Sequence, residues 1–170
     1  EVLQNNRNRE YFPYGIKKKS NVIYNPLDLG EYMGCGLNSE KEKKIVCVGR
    51  IIDSKRPEML IRAFSKICNE FPQYKLVFLG DGNKKAEMQE YAHSLGLAEK
   101  VEFCGAVENV FEQIKSAALF VLCSDYEGMP NSLLEAMCIG IPVISTRVSG
   151  ATDVIADGEN GILIECSDEE

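Results

Sequence analysis

From residue 44 onward the chain alternates between short apolar runs and stretches in which apolar residues recur every three or four positions. The runs 45–48, 76–79, 101–104, 118–123, 143–145 and 162–164 have the length and composition of β-strands. Between them, 57–71 carries Met59, Leu60, Ala63, Phe64 and Ile67 at the spacing of a one-sided helix. Further helices are predicted over 83–97, ending near Gly96, over 107–116 and 130–139, with a short helical turn at 151–156. The run 118–123 contains no charged residue and reads as a strand buried on both faces. Strands that alternate with helices in this way predict an α/β fold, a doubly wound, Rossmann-like parallel sheet of about six strands with helices on both faces.

The first 40 residues follow no such rhythm. Residues 7–9 and 17–19 are polar, basic runs and read as solvated, 21–24 is a lone short strand, and Asn25-Pro26 marks a turn. Residues 29–43 are polar and contain glycine. There is no internal repeat.

A length of 170 residues bounds the chain to one domain, or one domain and part of another. With 45% hydrophobic residues it can bury a sizeable core. A net charge of −7 argues against a nucleic-acid partner, so an anionic ligand needs local cations working against the overall field. No apolar run approaches the roughly 20 residues of a membrane span, and residues 1–20 lack the apolar core of a signal peptide. Seven cysteines, an odd number without a C-x-x-C pair, read as reduced structural residues of a cytoplasmic protein. His93, the single histidine, lies in a polar helix with no ligand partner at metal-binding spacing.

Two glutamates define the candidate chemistry. In Ser124-Asp-Tyr-Glu127-Gly-Met-Pro-Asn-Ser-Leu-Leu-Glu135, the first lies in a loop after a buried strand and the second in the helix that follows. Pro130 suits the first turn of that helix. Ligands of open α/β sheets bind at this carboxyl edge. Carboxylates there accept hydrogen bonds from a polyhydroxylated ligand, while the free N–H groups of Asn131 and Ser132 suit a phosphate. Arg50 follows the strand 45–48 and Lys55 lies five positions on, so both converge on an anion at the same edge. Tyr126 and Met129 flank Glu127 and suit either a pocket lining or packing. Gly80-Asp-Gly82 reads as a tight turn rather than a phosphate cradle.

The spacing of the two glutamates resembles the E-x7-E element of retaining GT-B glycosyltransferases of family 4, the glycosyl transferases group 1. Five further elements resemble that family in order along the chain: Gly49-Arg50 with Lys55, Leu76-Val-Phe-Leu-Gly80-Asp-Gly82, Val101-Glu-Phe-Cys-Gly105, and the loops Gly140–Thr146 and Asp157–Gly161. The resemblance implies that Arg50 and Lys55 hold the diphosphate of a nucleotide sugar, Glu135 the ribose, and Glu127 the hydroxyls of the transferred sugar. It groups Glu127, Arg50 and Lys55 as catalytic, and Glu135, Asn131, Ser132, Gly128 and Val107 as donor-binding, with the base near Gly105-Ala106-Val107. No metal or other cofactor is implied. Where many relatives have glycine after the lysine, this chain has Arg56-Pro57, which adds a third cation.

The same resemblance divides the chain. Residues 1–40 correspond to the tail of an N-terminal acceptor domain and the connection between domains. Residues 41–170 correspond to the donor-binding domain, cut before the final helices. The implied partners are a nucleotide sugar and the missing N-terminal domain of the same polypeptide, to which any peripheral membrane contact belongs. The implied activity is transfer of a hexose-type sugar to a glycan or lipid-linked acceptor in polysaccharide biosynthesis. A GT-B nucleotide-sugar epimerase and a non-catalytic, flavodoxin-like nucleotide-binding domain are the alternatives.

Overall fold

The structure is a computed structural model that describes residues 2–3, 9–10, 12–23, 25–28, 30, 35 and 40–166. Two short strands, β1 (Val2–Leu3) and β2 (Asn21–Val22), pair in parallel, with the one-turn helix α1 (Tyr14–Lys17) between them. Tyr24, the last residue of the expected strand 21–24, lies outside the described residues, as do residues 7–8 of the first basic run and most of 29–39. Lys18 and Lys19 are exposed, as expected of a solvated run.

From residue 42 the alternation resolves into a six-stranded parallel sheet. Its strands are β3 (Glu42–Val48), β4 (Lys75–Leu79), β5 (Val101–Phe103), β6 (Ala117–Leu122), β7 (Val143–Thr146) and β8 (Ile162–Ile164). They lie in the order β5-β4-β3-β6-β7-β8. The connecting helices are α2 (Pro57–Ile67), α3 (Lys85–Ser94), α4 (Val110–Ile114), α5 (Asn131–Ile139) and α6 (Ser149–Thr152).

Alternation along each strand builds two cores. Val46, Val77, Leu79, Phe120 and Leu122 face α4, α5 and α6. Ile45, Leu76, Phe78 and Val121 face α2 and α3. Pro57 opens α2 and Glu58 follows in its first turn, a combination that suits a helix N-terminus. The helix presses Met59, Leu60, Ile61 and Phe64 onto the sheet. Burying a side chain of this kind contributes about 1.5–3 kcal/mol.

Several sequence expectations shift for identifiable reasons. The strand expected to be buried on both faces is only half-buried at Ala118 and Leu119. Among the described residues no helix covers the α2 side of the sheet beyond β6, so Leu119, Ile144 and Ile164 line an apolar groove of about 290 Å³. Ile67 borders that groove and is 40% exposed, whereas the helical pattern had assigned it to the core. The helix expected over 107–116 begins only at Val110, because the Asn109 side chain caps it by accepting from the N–H of Glu112 at 3.1 Å. Pro130 is the residue before α5 and not its first helical position.

The loops that leave β3, β4 and β5 lie against one another through their backbones. Gly49 N donates to Leu79 O at 3.0 Å, and Gly80 N donates to Gly105 O at 2.8 Å. Gly80 has φ +149°, and a Cβ there would sit 2.0 Å from the Gly49 carbonyl oxygen. Only glycine allows this approach, so Gly80 is what lets the two loops pack; the expected tight turn at Gly80-Asp-Gly82 is instead a bridge at Gly80 with the turn following at 83–84. Gly80→Ala should therefore lower unfolding free energy by about 2–4 kcal/mol, combining overpacking with backbone strain. At Gly158, with φ +79° and nothing within 4 Å, alanine should cost only about 1–2 kcal/mol. Urea unfolding of the two variants measures the difference.

Candidate functional site

After β3 the chain winds outward through β4 to β5, then returns to place β6 on the other side of β3. The carboxyl ends of β3 and β6 are therefore neighbours whose loops diverge, the topological switch point of a doubly wound sheet. The loop after β3 supplies residues 49–56, and the loop after β6 supplies residues 123–130.

The first loop is held from below. Ile51 is buried, its N–H donates to Asp81 O at 2.9 Å, and its carbonyl accepts from Lys84 N at 3.1 Å. A 3₁₀ turn over Asp53–Lys55 follows, and Arg56 closes it with φ 47° and ψ 45° before Pro57 begins α2. Arg50 is exposed on this loop, and it lines a small crevice together with Lys55, Gly49, Ser124 and Cys123.

The second loop hangs from two buried polar residues. Ser124 and Thr146 are fully inaccessible. The N–H of Ser124 donates to Thr146 Oγ1 at 3.0 Å, and that hydroxyl donates back to Ser124 O at 2.8 Å. The Ser124 hydroxyl donates to Glu127 Oε1 at 2.8 Å, and the Lys55 ammonium forms an ion pair with the same oxygen. The side chains of Lys55 and Glu127 are 24% and 13% exposed, so the pair is largely shielded from water. Asp125 N donates to Ser54 O at 2.9 Å, and Arg56 Nε lies 3.0 Å from Asp125 Oδ1. Tyr126 is 72% exposed at the mouth, whereas Met129 is buried. The structure thus separates two residues that the sequence left equivalent. Gly150 makes room for this loop: a Cβ there would lie 2.4 Å from Gly128 O and 2.6 Å from Pro130 Cδ.

The start of α5 forms the other side of the site. Pro130 provides no side-chain cap, and among the described residues the N–H groups of Asn131 and Ser132 have no protein acceptor. Such groups, at the positive end of the helix, attract anions. Asn131 Oδ1 accepts from Asn25 Nδ2 at 2.9 Å. Ser132 Oγ lies 3.5 Å from Val48 O. Glu135, one turn further, lines an open depression of about 630 Å³ with Asn131, Ser132, Val48, Glu108 and Asn109. Burial raises its carboxyl above the ordinary carboxylate range.

Six of the eight residues singled out from the sequence therefore stand along one edge. Arg50 and Lys55 line the crevice with Glu127 paired to Lys55, Asn131, Ser132 and Glu135 line the depression, and Gly128 has its carbonyl against Gly150. Val48 lines both crevice and depression. The Val107 side chain is half-buried against the core, and residues 108–111 after it line the depression. Sequence reasoning missed Ser124, Thr146, Asn109, Gly150 and Asn25. Asn109 had a legible signal, Asn followed three residues later by Glu112, the pattern of a capping box. The others act through partners distant in sequence.

All seven cysteines are free thiols. Burial pushes Cys47 and Cys123, beneath the site, up to about 12, so they remain protonated and unreactive at neutral pH. Among the described residues, no group of three or more His, Cys, Asp or Glu side chains is arranged to hold a metal ion, and no helix is long and apolar enough to cross a membrane. His93 is exposed on α3.

Alkylation at pH 8 followed by mass spectrometry should label exposed Cys138 rapidly, and Cys47 and Cys123 only after unfolding. A second expectation concerns Glu135. A carboxyl raised by burial binds its proton more tightly in the fold than in the unfolded chain, so its contribution to stability falls as pH rises through the folded value. Glu135→Gln removes that loss. Its melting temperature at pH 7 should equal or exceed that of the wild type, with the advantage vanishing below the ordinary carboxylate range. A pH series of thermal melts tests the sign.

Comparison with known proteins agrees with this fold. The family model described as glycosyl transferases group 1 matches residues 33–170. Over 154 residues, 89% of this chain and 42% of the relative, the chain is 33% identical to a Campylobacter jejuni enzyme, GalNAc-alpha-(1->4)-GalNAc-alpha-(1->3)-diNAcBac-PP-undecaprenol alpha-1,4-N-acetyl-D-galactosaminyltransferase. The lipopolysaccharide outer core galactosyltransferase WaaB in its apo form superposes with a TM-score of 0.78 at 26% identity, covering 99% of this chain and 49% of that one. Anabaena Alr3699/HepE in complex with UDP and glucose superposes with a TM-score of 0.84 at 20% identity, covering 99% of this chain and 50% of that one, which speaks to the fold alone. The chain thus spans half or less of the length of each of these proteins. The family match takes in most of its residues, and the chain belongs to the glycosyl transferases group 1 family.

Proposed function

We propose that residues 41–170 are the donor-binding half of a retaining glycosyltransferase that uses a nucleoside-diphosphate sugar. In this reading residues 1–40 lead from an N-terminal acceptor domain, and the full protein is cytoplasmic. The observation that carries the proposal is the convergence of Lys55, Glu127 and the open N-terminus of α5 at the switch point. Diphosphate chemistry needs fixed positive charge where the leaving group gains negative charge. Lys55, Arg50 and the amides of Asn131 and Ser132 supply it without a metal ion. Glu135 suits the ribose, since its two oxygens can accept from a vicinal diol. The surface over Glu108 and Asn109 is the corresponding place for the base.

The Lys55–Glu127 pair explains how the donor would engage the site. In the free domain each neutralises the other. A diphosphate offers Lys55 more negative charge, and as the ammonium turns towards it Glu127 is released to accept hydrogen bonds from the sugar. The Ser124 hydroxyl keeps the carboxylate in place during that exchange. Glu127 thereby orients the anomeric carbon towards the acceptor and carries no proton transfer. The names of the Campylobacter jejuni relative and of WaaB are consistent with a glycan or lipid-linked acceptor, and the Anabaena structure with UDP and glucose is consistent with a hexose donor.

A thermal-shift panel of UDP, GDP and ADP with their hexose conjugates identifies the base. One nucleotide should raise the melting temperature, and flavin should not. Lys55→Ala should weaken nucleoside-diphosphate binding by about 1.5–3 kcal/mol, the range for hydrogen bonds to charged groups. Glu135→Ala should weaken binding of both donor and free nucleotide. Glu127→Ala should mainly lower turnover in the full-length protein. Equal losses of nucleoside-diphosphate affinity in the two glutamate variants would contradict the assigned roles. The isolated 170-residue chain should bind nucleotide weakly and transfer no sugar.

A further inference from the structure

We propose that Arg56 is a positioning residue: held in a left-handed backbone conformation, it grips Asp125 and through it sets the segment that carries Glu127. The proposal deepens the donor-site reading above and rests on it for the catalytic consequence, though not for the structural one.

Arg56 is the one non-glycine residue with positive φ among the described residues. An L-residue is strained there and glycine is not, so the backbone alone gives no reason for a long cation at this position. Packing gives none either, because the side chain is 46% exposed. What the conformation does is reverse the chain between the 3₁₀ turn and α2, with Arg56 N donating to Asp53 O at 2.9 Å. The guanidinium then meets Asp125, its Nε 3.0 Å from Oδ1.

Asp125 has little else of a packing kind to hold it, being exposed, with Tyr126 beside it 72% exposed. Asp125 is therefore fixed by polar contacts and not by burial. Three such contacts meet at Asp125. Its N–H donates to Ser54 O at 2.9 Å, its carboxylate pairs with Arg56, and the Cys166 thiol donates to Oδ1 at 3.2 Å. Ser54 and Arg56 flank Lys55, and Asp125 lies two residues before Glu127. The Arg56–Asp125 pair and the Lys55–Glu127 pair are thus two rungs between the same two loops. When donor phosphate draws Lys55 away, one rung opens. The Arg56 rung stays, keeping Glu127 from leaving with the released loop. A bound donor also presents its phosphates to Lys55 with a second cation nearby, so a direct diphosphate contact by Arg56 is the competing role.

The test uses the full-length polypeptide that carries this domain, with Arg56→Gly, Asp125→Ala and the double variant. Glycine removes the side chain and relieves the strain together, so R56G should melt at or above the wild-type temperature. Hydrogen exchange in a peptide covering 124–129 should speed up at least fivefold in R56G and D125A, with β3 and β6 unchanged. Turnover should fall about tenfold while the Kd for the stabilising nucleoside diphosphate stays within twofold. The double variant should be no worse than either single one. Unchanged exchange at 124–129, a lower melting temperature with normal turnover, or additive losses in the double variant would each overturn the proposal. A loss of nucleotide affinity in R56G like that of K55A would make Arg56 a diphosphate ligand instead. Absence of any transfer by the wild type would defeat the donor-site reading, and the exchange result would still decide the role of Arg56.

Discussion

The site depends on one carboxylate oxygen. Glu127 Oε1 accepts from the Ser124 hydroxyl and pairs with the Lys55 ammonium, so it joins two loops that the sheet topology sends in opposite directions. Asp125 and Tyr126 of the loop after β6 are exposed, so polar contacts at Glu127 and Asp125, more than burial, hold this part of it. Ser124 is fixed in turn by Thr146 at the end of β7, through two hydrogen bonds in a region without water access. Buried polar groups of this kind hold strongly because leaving any of them unpaired costs about 1–3 kcal/mol. Three adjacent strands, β3, β6 and β7, thereby determine where one side chain stands.

The environments of the two glutamates differ in a way that suits different tasks. Glu127 is shielded and satisfied by two donors. Glu135 sits half-buried beside an open depression, where desolvation works against its charge. The first is held by its own protein partners, and the second suits the proposed role of accepting from a ligand's hydroxyls. In the proposed reading, the cost of Glu135 to the empty protein is what building a site before its ligand arrives entails.

Glycines set the spacing of this edge. Gly80 lets the loops after β3 and β4 touch through their backbones, and Gly150 lets α6 seat the loop of Glu127. Neither contributes a side chain, yet a methyl group at either would displace the groups that do. The cations of the site sit in a chain of net charge −7, so in the proposed reading Arg50 and Lys55 act by proximity, over distances short enough that the overall field matters little.

Hydrophobic periodicity by itself determined the fold, because a parallel sheet covered by helices requires continuous apolar strands and one-sided helices, and few other arrangements bury both. It also located Glu127, Glu135, Lys55 and Arg50, since residues just after a strand necessarily lie at its carboxyl edge. Strand order was not legible, and with it went the knowledge that β3 and β6 are neighbours and that Lys55 meets Glu127 across 72 residues. Nor were Ser124 and Thr146, whose partnership spans 22 residues and exists only once the strands have paired. Nor was it legible that the Val107 side chain packs against the core while the residues after it line the depression, because side-chain direction in a loop has no period to read. Local pattern follows from neighbours along the chain. The contacts that make the site are between residues distant in sequence, and only the packed sheet brings them together.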